Sequence, residues 1–355
     1  MRILIPAHLG VLRGGVGTLV RGVVEALSQA IRQPDELVVL TGPRGRLATR
    51  VMRGLRGPAG GVGRLVYEQS VAARMARGCD LVHLMDARPL LATRAPFVLT
   101  VHDVTYLDHP EWFPPTSARY KRMMLSRALA KRPAAIVCDS EYSKRRLLEH
   151  RPEVGEGEVR VIYPGITPAA AIVPPSVERA RPYFLTVAVI EPRKNHLMLL
   201  EAFRHARQQG LELDWRVVGE PGHLSEPILE ALHREPGVVV LGRVSPEALE
   251  ALFAGALFTA TPSLAEGFGF PPLEAMARGV ATICSLGTAL DETVGDAAIR
   301  LDPFDVDGWC DAILDLAANE AERERLRAAG LARADRFRWE RTAAELIDLY
   351  HELGA

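Results

Sequence analysis

The feature that most constrains the fold is a regular alternation of short β-branched runs with amphipathic stretches along the whole chain. The runs include RILIPA, DLVHL and FVLTVHD in the first half, and YFLTVAV, DWRVVGE and ATICS in the second. Segments with helical spacing, such as TLVRGVVEALSQAI and HLMLLEAFRHARQQ, separate most of them. Strand and helix in alternation predict parallel sheets with helices on both faces. The predicted fold class is therefore α/β and doubly wound.

The length of the chain predicts two domains. Its 355 residues are about twice the usual size of a single domain. Periodicity disappears over residues 164–182, PGITPAAAIVPPSVERARP, where five prolines indicate a linker. We expect a first domain over residues 1–170 and a second over residues 176–338. Ligands of such sheets bind beyond the carboxyl ends of the strands, in the cleft.

Charge is unevenly distributed, although the formal net charge is −1. Residues 1–175 contain 25 Lys and Arg against 15 Asp and Glu, whereas the remainder contains 18 against 29. The first half should therefore meet an anionic partner, although no feature indicates a nucleic acid. No signal-peptide pattern or membrane-spanning apolar run is present, and the four cysteines lack metal or redox spacing. A cytoplasmic protein is the expectation.

Two loops at predicted strand ends in the first half carry candidate binding residues. Gly14, Gly15 and Gly17 precede a helix, which would allow its free N–H groups to approach an anion. A dinucleotide site is disfavoured because Val20 replaces the third glycine of that fingerprint, and a Gly-rich turn alone is more often structural. After FVLTV come His102 and Asp103, either acid–base groups or a hydrogen-bonded pair at the strand end.

Two further loops lie in the second half. IEPRKNH places Arg193 and Lys194 before a helix, where cations are unfavourable unless an anion lies between them and the helix. A solvated charge pair is the alternative. AEGFGFPPLEAMARG places Glu266 in a loop and Glu274 in the first turn of a helix that begins near Pro271 or the next proline. The helix dipole alone would also favour that position of Glu274.

These residue types together indicate one kind of ligand. Cations and helix N-termini bind phosphates, and carboxylates accept hydrogen bonds from neighbouring sugar hydroxyls. A nucleoside diphosphate sugar contains both chemical groups.

Four motifs together resemble the retaining family-4 glycosyltransferases of the GT-B fold. They are SLAEGFGFPPLEAMARGVATICS, IEPRKNHLMLLEAF, VVVLGRVSPEALEALFAGA and HDVTYLDHPEWFP, and EPRKN resembles a subgroup of that family. The resemblance implies two Rossmann-like domains that face a central cleft. The first would bind the acceptor and the second the donor. It also implies that the last helix, about residues 339–355, returns to pack on the first domain.

The resemblance also implies residue roles. Glu266 would contact the transferred sugar, Glu274 the ribose, and Arg193 with Lys194 the pyrophosphate. Arg193 would supply the cation that many members carry where this chain has Ala188 and Val189. The implied catalytic residues are His102, Glu266, Arg193 and Lys194. The implied donor-binding residues are Gly15, Gly17, Arg193, Lys194, Arg243, Val244, Glu266, Gly267, Phe268, Gly269, Phe270 and Glu274, and the implied acceptor-binding residues are Gly14, Asp103 and Tyr106.

The implied activity is retaining transfer of a hexosyl group, with GDP-mannose as first candidate donor, to a saccharide or lipid-linked acceptor in cell-surface polysaccharide synthesis. No cofactor or metal is expected. Asp305 and Asp307 form a D-x-D, but they open a helical segment, where acids cap the helix. The alternatives are a sugar-nucleotide-binding protein of the same fold, a phosphorylase or epimerase, and, more weakly, an oxidoreductase.

Two basic stretches suggest a peripheral position on the inner face of the plasma membrane. The first, RGRLATRVMRGLRGPAGGVGRL, contains arginines and no acid, and the second, SARYKRMMLSRALAKR, follows Trp112 and Phe113. Each basic residue near an anionic leaflet contributes about 1 kcal/mol. A mobile arginine-rich surface or a site for a diphosphate-bearing acceptor is the alternative.

Overall fold

The computed structural model describes residues 1–6, 15–40, 68–90, 94–167 and 181–354. Their strands form two six-stranded sheets in which neighbouring strands are parallel. The expected doubly wound α/β fold is therefore confirmed. The strands are β1 (Arg2–Ile5), β2 (Glu36–Val39), β3 (Leu81–Leu84), β4 (Phe97–Val101), β5 (Ala135–Cys138), β6 (Val159–Val161), β7 (Tyr183–Val187), β8 (Asp214–Val218), β9 (Val238–Gly242), β10 (Phe258–Thr261), β11 (Ala281–Ser285) and β12 (Ile299–Leu301).

The helices lie between these strands and after them. Short 3-10 turns and one π-helical turn, Glu68–Ala72, supplement the α-helices. The α-helices are α1 (Gly15–Ala30), α2 (Ala73–Ala76), α3 (Thr105–Asp108), α4 (Pro115–Ala130), α5 (Glu141–His150), α6 (His196–Gln208), α7 (Glu226–Arg234), α8 (Pro246–Gly255), α9 (Phe270–Ala277), α10 (Leu290–Thr293), α11 (Val306–Ala318), α12 (Glu320–Ala334) and α13 (Trp339–Gly354). Among the described helices, none combines the length and apolar character needed to cross a bilayer.

The first sheet is buried on both faces. Its strand order is β2-β1-β3-β4-β5-β6. Ile3 and Ile5 pack in one hydrophobic cluster and Leu4 in another, because successive side chains of a strand face opposite sides. Helix α1 covers one face with buried side chains at helical spacing, including Leu19 and Val23. Apolar runs without polar alternation are typical of such two-sided burial.

The second sheet has the order β12-β11-β10-β7-β8-β9 and a core rich in aromatic rings. Phe184 of β7 stacks between Trp215 of β8 and Phe258 of β10, with ring centroids 5.8 and 5.1 Å away. The indole N–H of Trp215 donates to Thr186 at 2.9 Å, so its polar atom is satisfied inside the core.

The last helix, α13, packs on the first domain. Leu346 and Tyr350 belong to the same buried cluster as Ile3. The Tyr350 hydroxyl lies 2.6 Å from Nδ1 of His83 in β3. At the start of α13 the Trp339 ring lies where a Cβ on Gly22 of α1 would stand, 2.1 Å from the nearest ring atom, so only glycine permits this contact.

In both sheets the strand order reverses once near the middle. The reversal falls between β1 and β3 in the first sheet and between β10 and β7 in the second. The two reversals therefore mark the edges at which ligands of doubly wound sheets bind. The first sheet ends at Val161 and the second begins at Tyr183, and most of the predicted linker, residues 168–180, lies outside the described residues.

Candidate functional site

A cavity of about 600 Å³ lies between the two domains at the carboxyl ends of their strands. Its volume falls in the range of small-molecule sites. Glu191 and Ser263, which hold charged groups of this site, were not among the predicted residues. The predicted residues that line the cavity are Gly15, His102, Asp103, Arg193, Lys194, Arg243, Val244, Glu266, Gly267, Phe268, Gly269, Phe270 and Glu274.

Glu266, in the loop after β10, is a buried and paired carboxylate. Lys194 Nζ donates to its Oε1 at 2.5 Å, and Ser263 Oγ donates to the same oxygen at 2.8 Å. Glu266 and Lys194 are 8% and 7% exposed. Burial raises the pKa of Glu266, but Lys194, Arg193 and the two hydrogen bonds lower it below its ordinary value. Glu266 is therefore a fixed negative charge.

Arg193 points into the cavity and is held from two sides. Its Nε lies 2.5 Å from Glu191 Oε1, and an Nη donates to the Ala265 carbonyl at 3.3 Å. The 3-10 turn Pro192–Lys194 ends at Asn195, whose left-handed backbone (φ 56°) leads into α6. Lys194 is buried, so the alternative of a solvated charge pair is wrong. Arg193 and Lys194, which precede α6, each form an ion pair with a carboxylate of the protein itself.

Glu274 differs from the prediction in its helical position. Gly269, at φ 97°, begins α9 at Phe270, ahead of both prolines, so Glu274 falls in the second turn instead of the first. The helix dipole acts mainly on the first turn and explains this carboxylate less well. No described residue donates a hydrogen bond to the carboxylate, and burial raises its pKa. The nearby Arg278 is held by Glu250 instead.

His102, at the end of β4, is fully hydrogen-bonded. Nδ1 lies 2.8 Å from Asp139 Oδ2 and Nε2 lies 2.8 Å from the Met85 carbonyl oxygen. Burial lowers the pKa of His102, but Asp139 and the Met85 carbonyl more than offset this and raise it to about 9. The imidazolium donates to both acceptors, so at neutral pH the ring is a cation that cannot take up a proton.

The glycine loop after Glu266 touches the first domain directly. A Cβ on Gly267 would lie 2.7 Å from the His102 carbonyl oxygen and 2.9 Å from the Asp103 Cβ, so only glycine permits this approach. Ser140 and Ser143 donate to the Gly267 carbonyl oxygen at 2.7 and 3.1 Å. The sequence prediction missed both serines. Their signal was Ser140, two residues after β5, as the N-cap of the next helix.

The cavity continues toward the edge strands of the second sheet. Arg243 follows β9, and its guanidinium lies 3.5 Å from Glu220, which follows β8. Val218, Val244 and Leu249 line the same end of the cavity. This end therefore combines apolar side chains with one carboxylate and one guanidinium, which suits a planar polar ring.

Two predicted site residues do not line the cavity, and a third lies outside the described residues. The prediction that Tyr106 belongs to the site is corrected. Tyr106 is buried beside Phe113, at 6.5 Å between ring centroids, and does not line the cavity. Gly17 is buried within α1 and is not itself a lining residue, although its neighbours Val16 and Thr18 line the cavity. Gly14 lies outside the described residues, as does the basic stretch of Arg44, Arg46, Arg50, Arg53, Arg56 and Arg64.

The D-x-D carboxylates lie in the positions that helix capping requires. Asp305 is the N-cap of α11 and accepts a hydrogen bond from the Gly308 N–H at 3.0 Å. Asp307, in the first turn, lies 3.5 Å from His205 and is largely exposed. Over the part of the chain that the structure describes, no three His, Cys, Asp or Glu side chains form a group that would hold a metal ion.

The fold belongs to a known class. The structure of HepE from Anabaena in complex with UDP and glucose superimposes with a TM-score of 0.75 at 18% sequence identity. The match covers 99% of this chain and 100% of HepE. Two doubly wound domains that face one cleft define the GT-B class, so the expected GT-B fold is confirmed.

Sequence comparison identifies the family within that class. Residues 13–170 match the family described as Glycosyltransferase Family 4, and residues 174–333 match Glycosyl transferases group 1. O-antigen chain mannosyltransferase B of Escherichia coli is 31% identical over 71% of this chain and 69% of its own length. Serotype-specific mannosyltransferase WbdA of Escherichia coli is 28% identical over 62% of this chain, but this match spans only 29% of WbdA. The chain belongs to the family-4, group 1 glycosyltransferases.

Proposed function

We propose that this glycosyltransferase moves a mannosyl group from GDP-mannose to a saccharide or lipid-linked acceptor, with retention of configuration and without a metal ion. The observation that carries the proposal is the meeting of Arg193, Lys194 and Glu266 in one cavity, from loops after the neighbouring strands β7 and β10. In a nucleoside diphosphate sugar, the two cations would bind the diphosphate, and the carboxylate beside them would accept hydrogen bonds from the sugar ring.

Arg193 and Lys194 supply the charge that the leaving group needs. As the bond between the anomeric carbon and the β-phosphate oxygen breaks, negative charge grows on the diphosphate. Glu191 and the Ala265 carbonyl hold the Arg193 guanidinium at the cavity wall before the reaction begins. Charges fixed in this way need no reorganisation during bond cleavage, which is the role that a metal ion has in other transferases.

Glu266 contacts the transferred sugar in this proposal. Lys194 and Ser263 both bond to Oε1, and no described residue donates to Oε2. Oε2 can therefore accept a hydrogen bond from a sugar hydroxyl. The ion pair keeps the carboxylate charged next to the carbon where positive charge develops.

The acceptor proton goes to the departing phosphate. The acceptor hydroxyl attacks the anomeric carbon from the face that the diphosphate leaves, a new C–O bond forms there, and the hydroxyl proton passes to the phosphate oxygen. His102 does not compete as a base, because both ring nitrogens already carry protons donated to Asp139 and Met85. Its positive charge adds to the stabilisation of the leaving group.

Two observations support GDP-mannose as the donor. The similar Escherichia coli proteins named above are mannosyltransferases by name. Glu220, paired with Arg243, lies at the end of the cavity proposed for the base, and a carboxylate there can accept a hydrogen bond from the N–H groups that guanine presents. Uracil has one N–H group between two carbonyl oxygens. A carboxylate would repel these oxygens, so it favours guanine over uracil. The relatives' names also support a role in O-antigen-type polysaccharide synthesis.

A cytoplasmic location at an anionic membrane surface is part of the proposal. In the described second stretch, Arg119, Lys121 and Arg122 of α4 are exposed, and the Lys121 ammonium lies 4.7 Å from the centroid of the Phe113 ring. Cationic and aromatic side chains together suit a lipid interface. Co-sedimentation with anionic vesicles should weaken as salt rises, and binding that ignores both lipid charge and salt would remove the membrane proposal.

A ligand screen followed by an assay tests the function. GDP-mannose and GDP should raise the melting temperature more than UDP-glucose and UDP, because a ligand at a hundred times its Kd adds about 2.7 kcal/mol. Slow hydrolysis of GDP-mannose should persist in EDTA. Stabilisation by UDP-glucose alone would overturn the donor, nucleotide binding without turnover of any sugar nucleotide would favour a binding protein, and activity restored only by Mg²⁺ or Mn²⁺ would overturn metal independence.

A further inference from the structure

The carboxylate of Glu292 joins the two domains. Glu292 lies in α10 of the second domain, yet all three hydrogen bonds that its carboxylate accepts from described residues come from residues before the linker. The backbone N–H groups of Glu141 and Tyr142 donate at 3.0 and 2.7 Å, and the Tyr163 hydroxyl donates at 2.9 Å. No role in binding or catalysis was expected for Glu292 from the sequence.

These bonds complete the N-terminus of α5. The first N–H groups of a helix have no partner within the helix, and the helix end carries partial positive charge. In α5, the Glu292 carboxylate accepts hydrogen bonds from the first two of these N–H groups. The Ser140 hydroxyl accepts one from the third, that of Ser143, at 3.0 Å. A charged acceptor from the other domain therefore satisfies this helix end, at a position where a carboxylate is electrostatically favoured.

The same helix end holds the loop beside Glu266. The hydroxyls of Ser140 and Ser143 donate to the Gly267 carbonyl oxygen, and Ser143 also donates to the His102 carbonyl oxygen at 2.8 Å. From the other side, the Ala289 N–H donates to the Glu266 carbonyl oxygen at 3.3 Å. The backbone on both sides of the Glu266–Gly267 peptide is thus fixed by α5 and by the segment that leads into α10.

Helix α10 has a firm support of its own. The Arg333 guanidinium donates to the carbonyl oxygens of Glu292 and Thr293, the latter at 2.7 Å. The Glu292 side chain therefore extends from an anchored backbone toward α5. This arrangement transmits the position of the first domain to the loop that carries Glu266.

We propose that Glu292 is a positioning residue for glycosyl transfer. It holds α5 against the second domain, and α5 holds the Gly267 loop, so that the Glu266 carboxylate meets the sugar in the closed cleft. The inference rests on the proposed contact of Glu266 with the sugar. The hold of α5 on the loop can be measured without any substrate.

Glu292→Gln tests the proposal, because it keeps the size of the side chain but removes the charge and turns an N–H group toward the helix end. Amide hydrogen exchange should become at least about tenfold faster at residues 140–143 and also at residues 266–270. Turnover of GDP-mannose should fall by about ten- to a hundredfold. The affinity for GDP should change less than about twofold, because the groups expected to bind its ribose and to pair with its diphosphate, Glu274, Arg193 and Lys194, belong to the second domain.

Two variants complete the experiment. Tyr163→Phe removes one of the three bonds and should give a smaller change of the same kind, even if Glu292→Gln folds poorly. Glu322→Gln, at an exposed ion pair with Arg325 in the same domain, should leave exchange and turnover unchanged. Faster exchange confined to residues 140–143, or in neither segment, overturns the proposal, since Glu292 would then only cap a helix. That result is independent of the donor, so it is distinguishable from failure of the proposed function.

Discussion

The loop that carries Glu266 and the helix that carries Glu274 support their carboxylates in opposite ways. Glu266 is bonded to Lys194 and Ser263, and these partners lower its pKa. Glu274 lies in α9, receives no hydrogen bond to its carboxylate from the described residues, and has a pKa raised by burial. One carboxylate is stabilised by the protein itself, whereas the other is left for a ligand to stabilise.

This difference corresponds to two kinds of work. A group that acts on the changing part of a substrate gains from being fixed in advance, because no reorganisation is then needed in the transition state. A group that binds an unchanging part needs only to gain partners when the ligand arrives. The pairing of Glu266 therefore fits contact with the transferred sugar, and the isolation of Glu274 fits the hydroxyls of a ribose.

Glu266→Gln should give the largest effect and is the strongest test of the paired region. Turnover should fall by roughly ten- to a thousandfold, in the range of a lost transition-state contact. The free energy of unfolding should also fall, by about 3 kcal/mol, because Lys194 keeps a buried charge without its partner. Steady-state kinetics and urea unfolding measure the two quantities. Unchanged stability would mean that the ion pair does not fix this loop, and circular dichroism controls for loss of fold.

Glu274→Gln should stabilise the unliganded protein, whereas Glu266→Gln destabilises it, and the change in stability should be smaller. The raised pKa of Glu274 means that its charged form costs stability at neutral pH, so removing the charge should raise the melting temperature. The gain in stability should be complete at pH values above the pKa of Glu274 in the folded protein. It should vanish as the pH falls below the pKa of Glu274 in the unfolded chain, because wild-type Glu274 is then protonated in both states. Melting curves of wild type and variant across that pH range give the comparison. A lower melting temperature at neutral pH would show that Glu274 is stabilised within the protein.

The sequence was sufficient for the parts of this account that depend on local pattern. Alternating strand and helix signals predicted the doubly wound fold. Loops at strand ends, together with the family resemblance, predicted about half of the residues that line the cavity, since parallel strands bring their carboxyl ends to one edge. Arg193, Lys194 and Glu266 were each predicted as ligand-binding residues on this basis. Their internal pairing was not, because a contact between Lys194 and Glu266 depends on how two separate loops meet.

The contacts between domains were also beyond the sequence. Ser140 meets Gly267, and Glu292 meets Tyr142, only once the two domains are placed against each other. Within single elements, the sequence prediction differed from the structure in the side to which one side chain points and in the residue at which one helix begins. Tyr106 lies in a one-turn helix whose inward side periodicity cannot show, and the left-handed Gly269 shifted the start of α9 ahead of the prolines.

The affinity for free GDP, measured by titration calorimetry on wild type, Glu266→Gln and Glu274→Gln in parallel, tests the division of work most directly. GDP contains the ribose and lacks the transferred sugar, and both variants keep the size of the side chain. Glu274→Gln should bind GDP at least about tenfold more weakly, since a buried polar contact to the ribose is lost, whereas Glu266→Gln should bind within about twofold of wild type. An equal loss of affinity in both variants, or no loss in either, would contradict the account.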